Sequence, residues 1–313
     1  MNALFKGSKL EVMNKKNIFK KYKSYGPGGL IEVFLQPRFV RDILLWTNQS
    51  LHQKGKLEIS CDELKSFISL EIAMSIVRIN KIKDYWSNKV FLGNSDFKNI
   101  MSRDKFCYIR SNIMFHPPFM NEFDSESKNQ DPLWNCRHLM QHFQQTFADV
   151  AVPMGCSALD EMGSKSKGRS KAISYSPNKP DKYAIRFYSV VGHAWKYTFS
   201  VMNDGRGNKT GIPPLDRYLS IFPQLRTPIF KSLHGSEDIK WQKASALWVA
   251  QVGHMRLKMK SKTDIARNVV KRTLFCDNFY TRHKFAKVID KLTDGDVKVT
   301  GTIRFNFIEA NNK

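Results

Sequence analysis

The 313-residue chain carries 51 Lys and Arg against 28 Asp and Glu, a formal net charge of +23, with 42% hydrophobic residues, 22 Phe and 6 Trp. That apolar content excludes a mainly disordered chain. The most apolar stretch, Phe67 to Ile79, is broken by Glu71 and Arg78, which excludes it as a membrane span and predicts a soluble intracellular protein. The charge predicts an anionic partner without distinguishing DNA, RNA or a membrane surface, and the length predicts about two domains.

Residues 1–25 carry Lys9, Lys15, Lys16, Lys20, Lys21 and Lys23 with few apolar anchors, and read as a basic flexible arm, with a nuclear-import or DNA-contacting arm as the sharper alternative. Gly26-Pro27-Gly28-Gly29 reads as a linker into the first folded domain, residues 26–150, which is almost entirely helical. Ser60 with Glu63 is a capping box at a helix start. The helix after it places Leu64, Phe67, Ile68, Ile72, Ile76 and Ile79 at helical spacings, which predicts burial on several sides. Ser102 caps a helix bearing Phe106, Ile109 and Ile113, ended by Pro117-Pro118. After a polar loop, Leu133, Cys136, Met140, Phe143 and Phe147 mark another amphipathic helix.

Past Pro153 the period changes. Ser157-Ala158-Leu159 reads as a short strand leading into Asp160, Tyr183 to Val191 as a buried strand, and Ala194 to Met202 as its antiparallel neighbour. Pro213-Pro214 opens a helix with Leu215, Tyr218, Leu219 and Phe222 on one face, and Ala244 to Arg256 reads as another. Thr273 to Cys276 is a short strand ending at Asp277, followed by a helix over 282–292 and a strand over 297–305. Three strands, helices, strand, helix, strand is the order of an RNase H-like domain.

Weaker patterns are read structurally. His138 and His142 lie one helical turn apart but lack the intervening Glu of a metalloprotease motif. Gly205 to Gly211 lacks the spacing of a nucleotide-binding loop and reads as flexible, and Asn48-Gln49-Ser50 is a chance glycosylation match. The five cysteines are scattered, with no C-x-x-C pair, and predict buried thiols rather than disulfides or zinc.

Asp160 and Asp277 carry the chemical interest. Either alone is an ordinary turn or cap residue. Two such carboxylates brought together suit Mg2+, a hard ion held by one or two carboxylates plus phosphate and water. A pair of such ions activates the attacking oxygen and stabilises the leaving one in phosphodiester chemistry.

The surrounding residues carry a resemblance. Asp160-Glu161 precedes Lys167-Gly168-Arg169 and Asn178-Lys179-Pro180, and Asp277 opens Asp277-Asn278-Phe279-Tyr280-Thr281. With Ile82-Lys83-Asp84-Tyr85-Trp86-Ser87 and Met101-Ser102-Arg103-Asp104-Lys105-Phe106, these phrases resemble the piggyBac-type DNA transposases from about Leu30 onward. The resemblance implies an α+β protein: a helical dimerisation and DNA-binding domain over 26–150, then an RNase H-like DDE domain over 151–313 with a mixed sheet. It implies Asp160 and Asp277 as catalytic and metal-holding residues, Mg2+ or Mn2+ as cofactor, and Lys167, Arg169 and Lys179 as DNA contacts.

The partner it implies is double-stranded DNA, with room for a homodimer and none for a membrane or a small-molecule substrate. It also implies a nuclear location and, in the intact family, excision and integration at TTAA. Lys313 precedes the region where the family places its third acid, so the catalytic domain reads as incomplete and the chain as one that binds DNA without transposing it alone. Ser164 and Ser166 stand where the family has apolar or aromatic residues, which predicts a loosened hairpin beside Asp160. The other functional class open to such a basic chain is a domesticated, noncatalytic chromatin- or RNA-binding protein.

Overall fold

The computed structural model describes residues 11–89, 92–118, 131–152, 155–166, 169–202, 216, 219–220, 222–227, 229, 272–277, 281 and 283–302. The chain divides into two compact units. One is Leu35–Ser125 with Asn135–Leu139, and the other gathers Met1–Phe34, Glu126–Trp134 and Met140–Lys313.

In the sheet unit, residues 11–25 are regular structure rather than a bare arm. Strand β1 (Glu11–Val12) pairs antiparallel with β2 (Ala151–Val152), and helix α1 covers Lys15–Tyr25. The expected linker is helical too, because Pro27 fits a first helical turn and opens α2 (Pro27–Phe34). Gly29 lets α2 close on α1: a Cβ there would sit 2.2 Å from the Lys21 carbonyl oxygen.

The helical unit is built from α3 (Pro37–Gln53), α4 (Cys61–Ile76), α5 (Ser95–Ile100) and α6 (Arg103–Asn112). The Ser60 hydroxyl accepts the Glu63 N–H at 3.1 Å, and the Glu63 carboxylate accepts the Ser60 N–H at 2.9 Å, so the expected capping box forms. Glu63 also meets Lys105 of α6 at 2.8 Å. Ser102 caps α6 through the Lys105 N–H. Asn48 holds both backbone groups of Ile59 at 2.9 Å, a structural use of its side chain.

Burial of α4 is one-sided, unlike the expectation. Leu64, Phe67 and Leu70 are buried, but Ile76 is exposed and Val77 already leaves the helix in extended conformation. Helix α6 likewise ends at Asn112, short of Pro117. Tyr85, Trp86, Phe97, Phe106 and Phe67 form one aromatic cluster, with Tyr85 stacked on Phe97 at 4.7 Å and Trp86 at 5.1 Å from Phe106. The Tyr85 hydroxyl donates to the Val77 carbonyl at 2.6 Å and the Trp86 N–H to the Met101 carbonyl at 2.8 Å. Burying each ring contributes about 1.5–3 kcal/mol.

Helix α7 (Arg137–Val150) leads into the sheet. Among the described residues this sheet has six strands: β3 (Cys156–Lys165), β4 (Ile173–Tyr175), β5 (Tyr183–Gly192), β6 (Thr198–Met202), β7 (Arg272–Cys276) and β8 (Val297–Gly301). Their order is β4-β5-β3-β7-β8, with β6 also on β5. β5 is antiparallel to β3, β4 and β6, whereas β7 runs parallel to β3 and to β8. Helix α8 (His283–Leu292) makes the crossover between β7 and β8. This mixed topology is RNase H-like, as expected.

Leu159, Tyr188, Val190, Leu274 and Val297 of the sheet share one core with Phe285, Val288, Ile289 and Leu292 of α8. Alternation along the strands leaves the other sheet face to different residues. On α7, buried Gln144 accepts the Val201 N–H of β6 at 2.7 Å, and the Tyr197 hydroxyl donates to the Phe147 carbonyl at 2.9 Å. β6 starts later than expected because the turn runs through Lys196, which has φ of 53°. The expected helix over 244–256 and most of that after Pro213 lie outside the described residues, although Leu219 and Phe222 are buried in this core.

Candidate functional site

Two strands bring Asp160 and Asp277 together. The last parallel pairs of β3 and β7 are Ala158 with Phe275 and Leu159 with Cys276. The next residues in that register are Asp160 and Asp277, on neighbouring strands about 4.8 Å apart. Leu159, Leu274 and Cys276 are buried toward α8, so alternation turns Asp160 and Asp277 to the opposite face, where both are exposed. Burial first, then the charges of Asp277 and Asp160, push the Cys276 thiol up to about 12.

Asp160 is not at the end of its strand, as the sequence suggested, but in the middle of β3. Past Leu159 the strand loses β7 and continues as a hairpin with β5, through Lys165 opposite Ala184. Asp160, Ser164 and Lys165 there are exposed and Glu161 is half-buried, so apolar patterning ends before the strand does. Ser164 is exposed and pairs with Ile185 in that ladder, which continues through it. The expected loosening from lost burial therefore does not follow at Ser164.

Local bonds hold each carboxylate-bearing backbone. The Glu161 N–H donates to the Asp160 carboxylate at 2.7 Å. Thr281 closes the turn after β7: its N–H and hydroxyl donate to the Asp277 carbonyl at 3.0 and 2.8 Å. Gly301 supports this turn from β8. It pairs with Cys276, and a Cβ there would lie 2.0 Å from the Cys276 carbonyl oxygen and 2.5 Å from the Thr281 hydroxyl. No sequence signal marked Gly301, since its role depends on the β7–β8 register.

Other acids diverge from the pair. Glu161, the neighbour of Asp160, alternates to the other face and lies 3.7 Å from Lys179. Asp290 is on α8 and pairs with Lys298, and Asp294 sits in a turn at φ 47°. Among the described residues no three His, Cys, Asp or Glu side chains gather as a metal site. Arg169 is exposed beyond β3. Lys167, Asn278 to Tyr280, Glu309 and the Gly205–Gly211 loop lie outside the described residues.

The two histidines of α7 are structural. His138 packs on Trp46 with ring centroids 5.4 Å apart, and burial followed by the charge of His116 holds it below the usual histidine range. His142 Nε2 lies 2.8 Å from the Phe34 carbonyl, which only accepts, so that nitrogen carries the proton. Burial also lowers its pKa, against the opposing effect of this bond.

The sheet order, with two carboxylates in register on adjacent parallel strands, defines the class: an RNase H-like domain of the DDE type. The model of the Transposase IS4 family matches residues 26–210. The chain belongs to this family. Its fold is similar to that of a piggyBac transposase solved by cryo-EM as a synaptic complex with hairpin DNA: TM-score 0.61, 18% identity, covering 96% of this chain and 54% of that one. The chain thus spans about half the length of that protein. No curated protein matches it.

Proposed function

We propose that this chain is a DNA-binding, transposase-type protein whose sheet unit carries two of the carboxylates of a two-metal phosphodiester-transfer site. The observation carrying this reading is the in-register placement of Asp160 and Asp277 on one exposed sheet face. The net charge of +23 supports a polyanionic partner. The similar piggyBac structure is a complex with DNA, which favours DNA over RNA or chromatin proteins as that partner. A nuclear location belongs to the same reading.

The donor set fits Mg2+ or Mn2+, since both side chains offer hard oxygen ligands and leave room for water and phosphate. Asp160 and Asp277 would hold the ions, which when bound polarise the phosphate and stabilise charge on the leaving oxygen. The chain's own part is positional. β3 and β7 fix the two carboxylates side by side, and Thr281 and Gly301 set the turn that carries Asp277. With two carboxylates gathered among the described residues, the chain alone binds DNA and does not excise it. Excision at inverted repeats and insertion at TTAA are the activities that the intact arrangement would perform.

The test is duplex binding by fluorescence anisotropy across a salt series. Affinity is expected to fall with a slope near −0.9 per neutralised phosphate, and absence of binding at low salt would contradict the reading. In parallel, purified chain with Mg2+ or Mn2+ and a TTAA-flanked donor is expected to give no specific end cleavage. Cleavage that disappears in Asp160→Ala would show a complete site.

A further inference from the structure

The carboxylate face of the sheet has a second feature at its far end. Tyr175 of β4 and Tyr183 of β5 are direct cross-strand partners, with ring centroids 5.0 Å apart at an interplanar angle of 44°. They remain 56% and 60% exposed, unlike the aromatics of the helical unit. Asp160 pairs with Ser189. Tyr183 is an even number of residues from Ser189, so both rings lie on the face of Asp160 and Asp277. Met162, also exposed, lies between them on β3.

Cations border Tyr183. A cleft of about 770 Å³ beside Tyr183 is lined by Lys165, Arg169, Asp181 and Lys182 among others. Asp181 is neutralised by Lys165 at 2.7 Å. Arg169 and Lys182 are exposed and have no ion-pair partner among the described residues. Exposed aromatic rings beside a positively charged groove are what single-stranded nucleic acid requires, the rings for its bases and the cations for its backbone. The apolar rings alone would suit a protein surface, but the flanking charge favours a polyanion.

We infer that Tyr175 and Tyr183 form a stacking ledge for unpaired bases of a DNA strand, with Arg169 and Lys182 meeting its phosphates. The inference rests on the proposed DNA-processing role of Asp160 and Asp277. The register sets its geometry. Six residues along β5 span about 20 Å, which about six nucleotides cover at the duplex rise of about 3.4 Å each and fewer cover in an extended single strand. A strand lying along β5 from the carboxylates thus reaches the ledge within about six nucleotides.

The experiment compares binding of a plain duplex and the same duplex bearing an oligothymidine tail of about six to eight nucleotides, a length set by the strand rise. The tail is expected to tighten binding by the full-length chain on the order of tenfold. The variant Tyr175→Ala/Tyr183→Ala should lose that gain, keep its affinity for plain duplex and keep its salt slope. Tyr175→Phe/Tyr183→Phe should retain the gain, because stacking needs the ring and not the hydroxyl. Arg169→Gln/Lys182→Gln should flatten the salt dependence of tailed DNA, by roughly 0.7 for each phosphate left without its cation. Equal affinity for the two DNAs, or a tail effect that survives the alanine variant, overturns the ledge while leaving duplex binding intact. Failure of the wild-type chain to bind either DNA at low salt overturns the functional reading and the ledge with it.

Discussion

The helical and sheet units use the same residue types in opposite ways. Tyr85, Phe97 and Phe106 are buried in the helical unit and locked in one cluster, whereas Tyr175, Tyr183 and Trp195 of the sheet unit are exposed. The family-like phrases of the first unit are therefore core packing, with the Tyr85 hydroxyl and the Trp86 N–H bonded to backbone carbonyls. Those of the second surround a surface on which two carboxylates and a pair of tyrosines are displayed. Resemblance in one unit specifies a scaffold, and in the other it points to chemistry.

The strongest way to test that contrast is to damage each unit separately. Phe106→Ala removes a fully buried ring and is expected to cost about 3–5 kcal/mol, measured by denaturant unfolding. Its metal response should be unchanged wherever the chain remains folded. Gly301→Ala strikes the sheet unit instead. A methyl 2.0 Å from the Cys276 carbonyl forces the β7 turn to move, at a cost of about 1–3 kcal/mol. Here the metal response should weaken together with stability, because the displaced turn carries Asp277. A Gly301→Ala chain with normal stability would contradict the close approach.

A smaller effect is expected at the cap. Ser60→Ala leaves the Glu63 N–H without its side-chain acceptor and should cost about 1 kcal/mol by the same unfolding measurement. Ser60→Gly should cost less.

The pH dependence is the mildest test. His138 and His142 are held below the usual histidine range chiefly by burial. The unfolded chain, with histidine pKa near 6.5, then binds protons that the folded chain does not. Their contribution is complete above about pH 6.5 and is lost as the pH falls below it. Melting temperatures measured through that range should decline less in a His138→Gln/His142→Gln chain than in the wild type, relative to each protein's own value at neutral pH.

Much of the fold was legible because local signals suffice for it. Ser60 with Glu63 located the start of α4, and Ser102 that of α6, since a cap depends on residues only three positions apart. The mostly apolar segment of β5, interrupted by Arg186 and Ser189, matched its pairing with β3 on one edge and with β4 and β6 on the other. What failed was whatever depends on a partner. Ile76 continues the apolar period of α4 to a point where neighbours no longer cover it, whereas Ile79 packs on the core from beyond the helix end. β3 extends past Asp160 because β5 supplies its ladder, which its own polar residues do not announce. Gly29 read as a linker residue and Gly301 as an interior position of the strand over 297–305, while each is fixed by a carbonyl from another element.

The carboxylates show the same division. Their positions were legible from the phrases around them, whereas their shared face follows only from the β3–β7 register. Lys179 was expected at DNA, and the structure places it 3.7 Å from the half-buried Glu161, a solvent-accessible pair of the kind worth little to stability.

The most direct test of the paired carboxylates is thermal unfolding of the full chain during a Mn2+ titration, without DNA, for wild type, Asp160→Asn and Asp277→Asn. Ligand that binds only the folded state raises the melting temperature with concentration. Such a rise is expected for the wild type, and its loss in both variants. An equal rise in all three proteins, or none in the wild type, would contradict the claim that Asp160 and Asp277 together hold the metal.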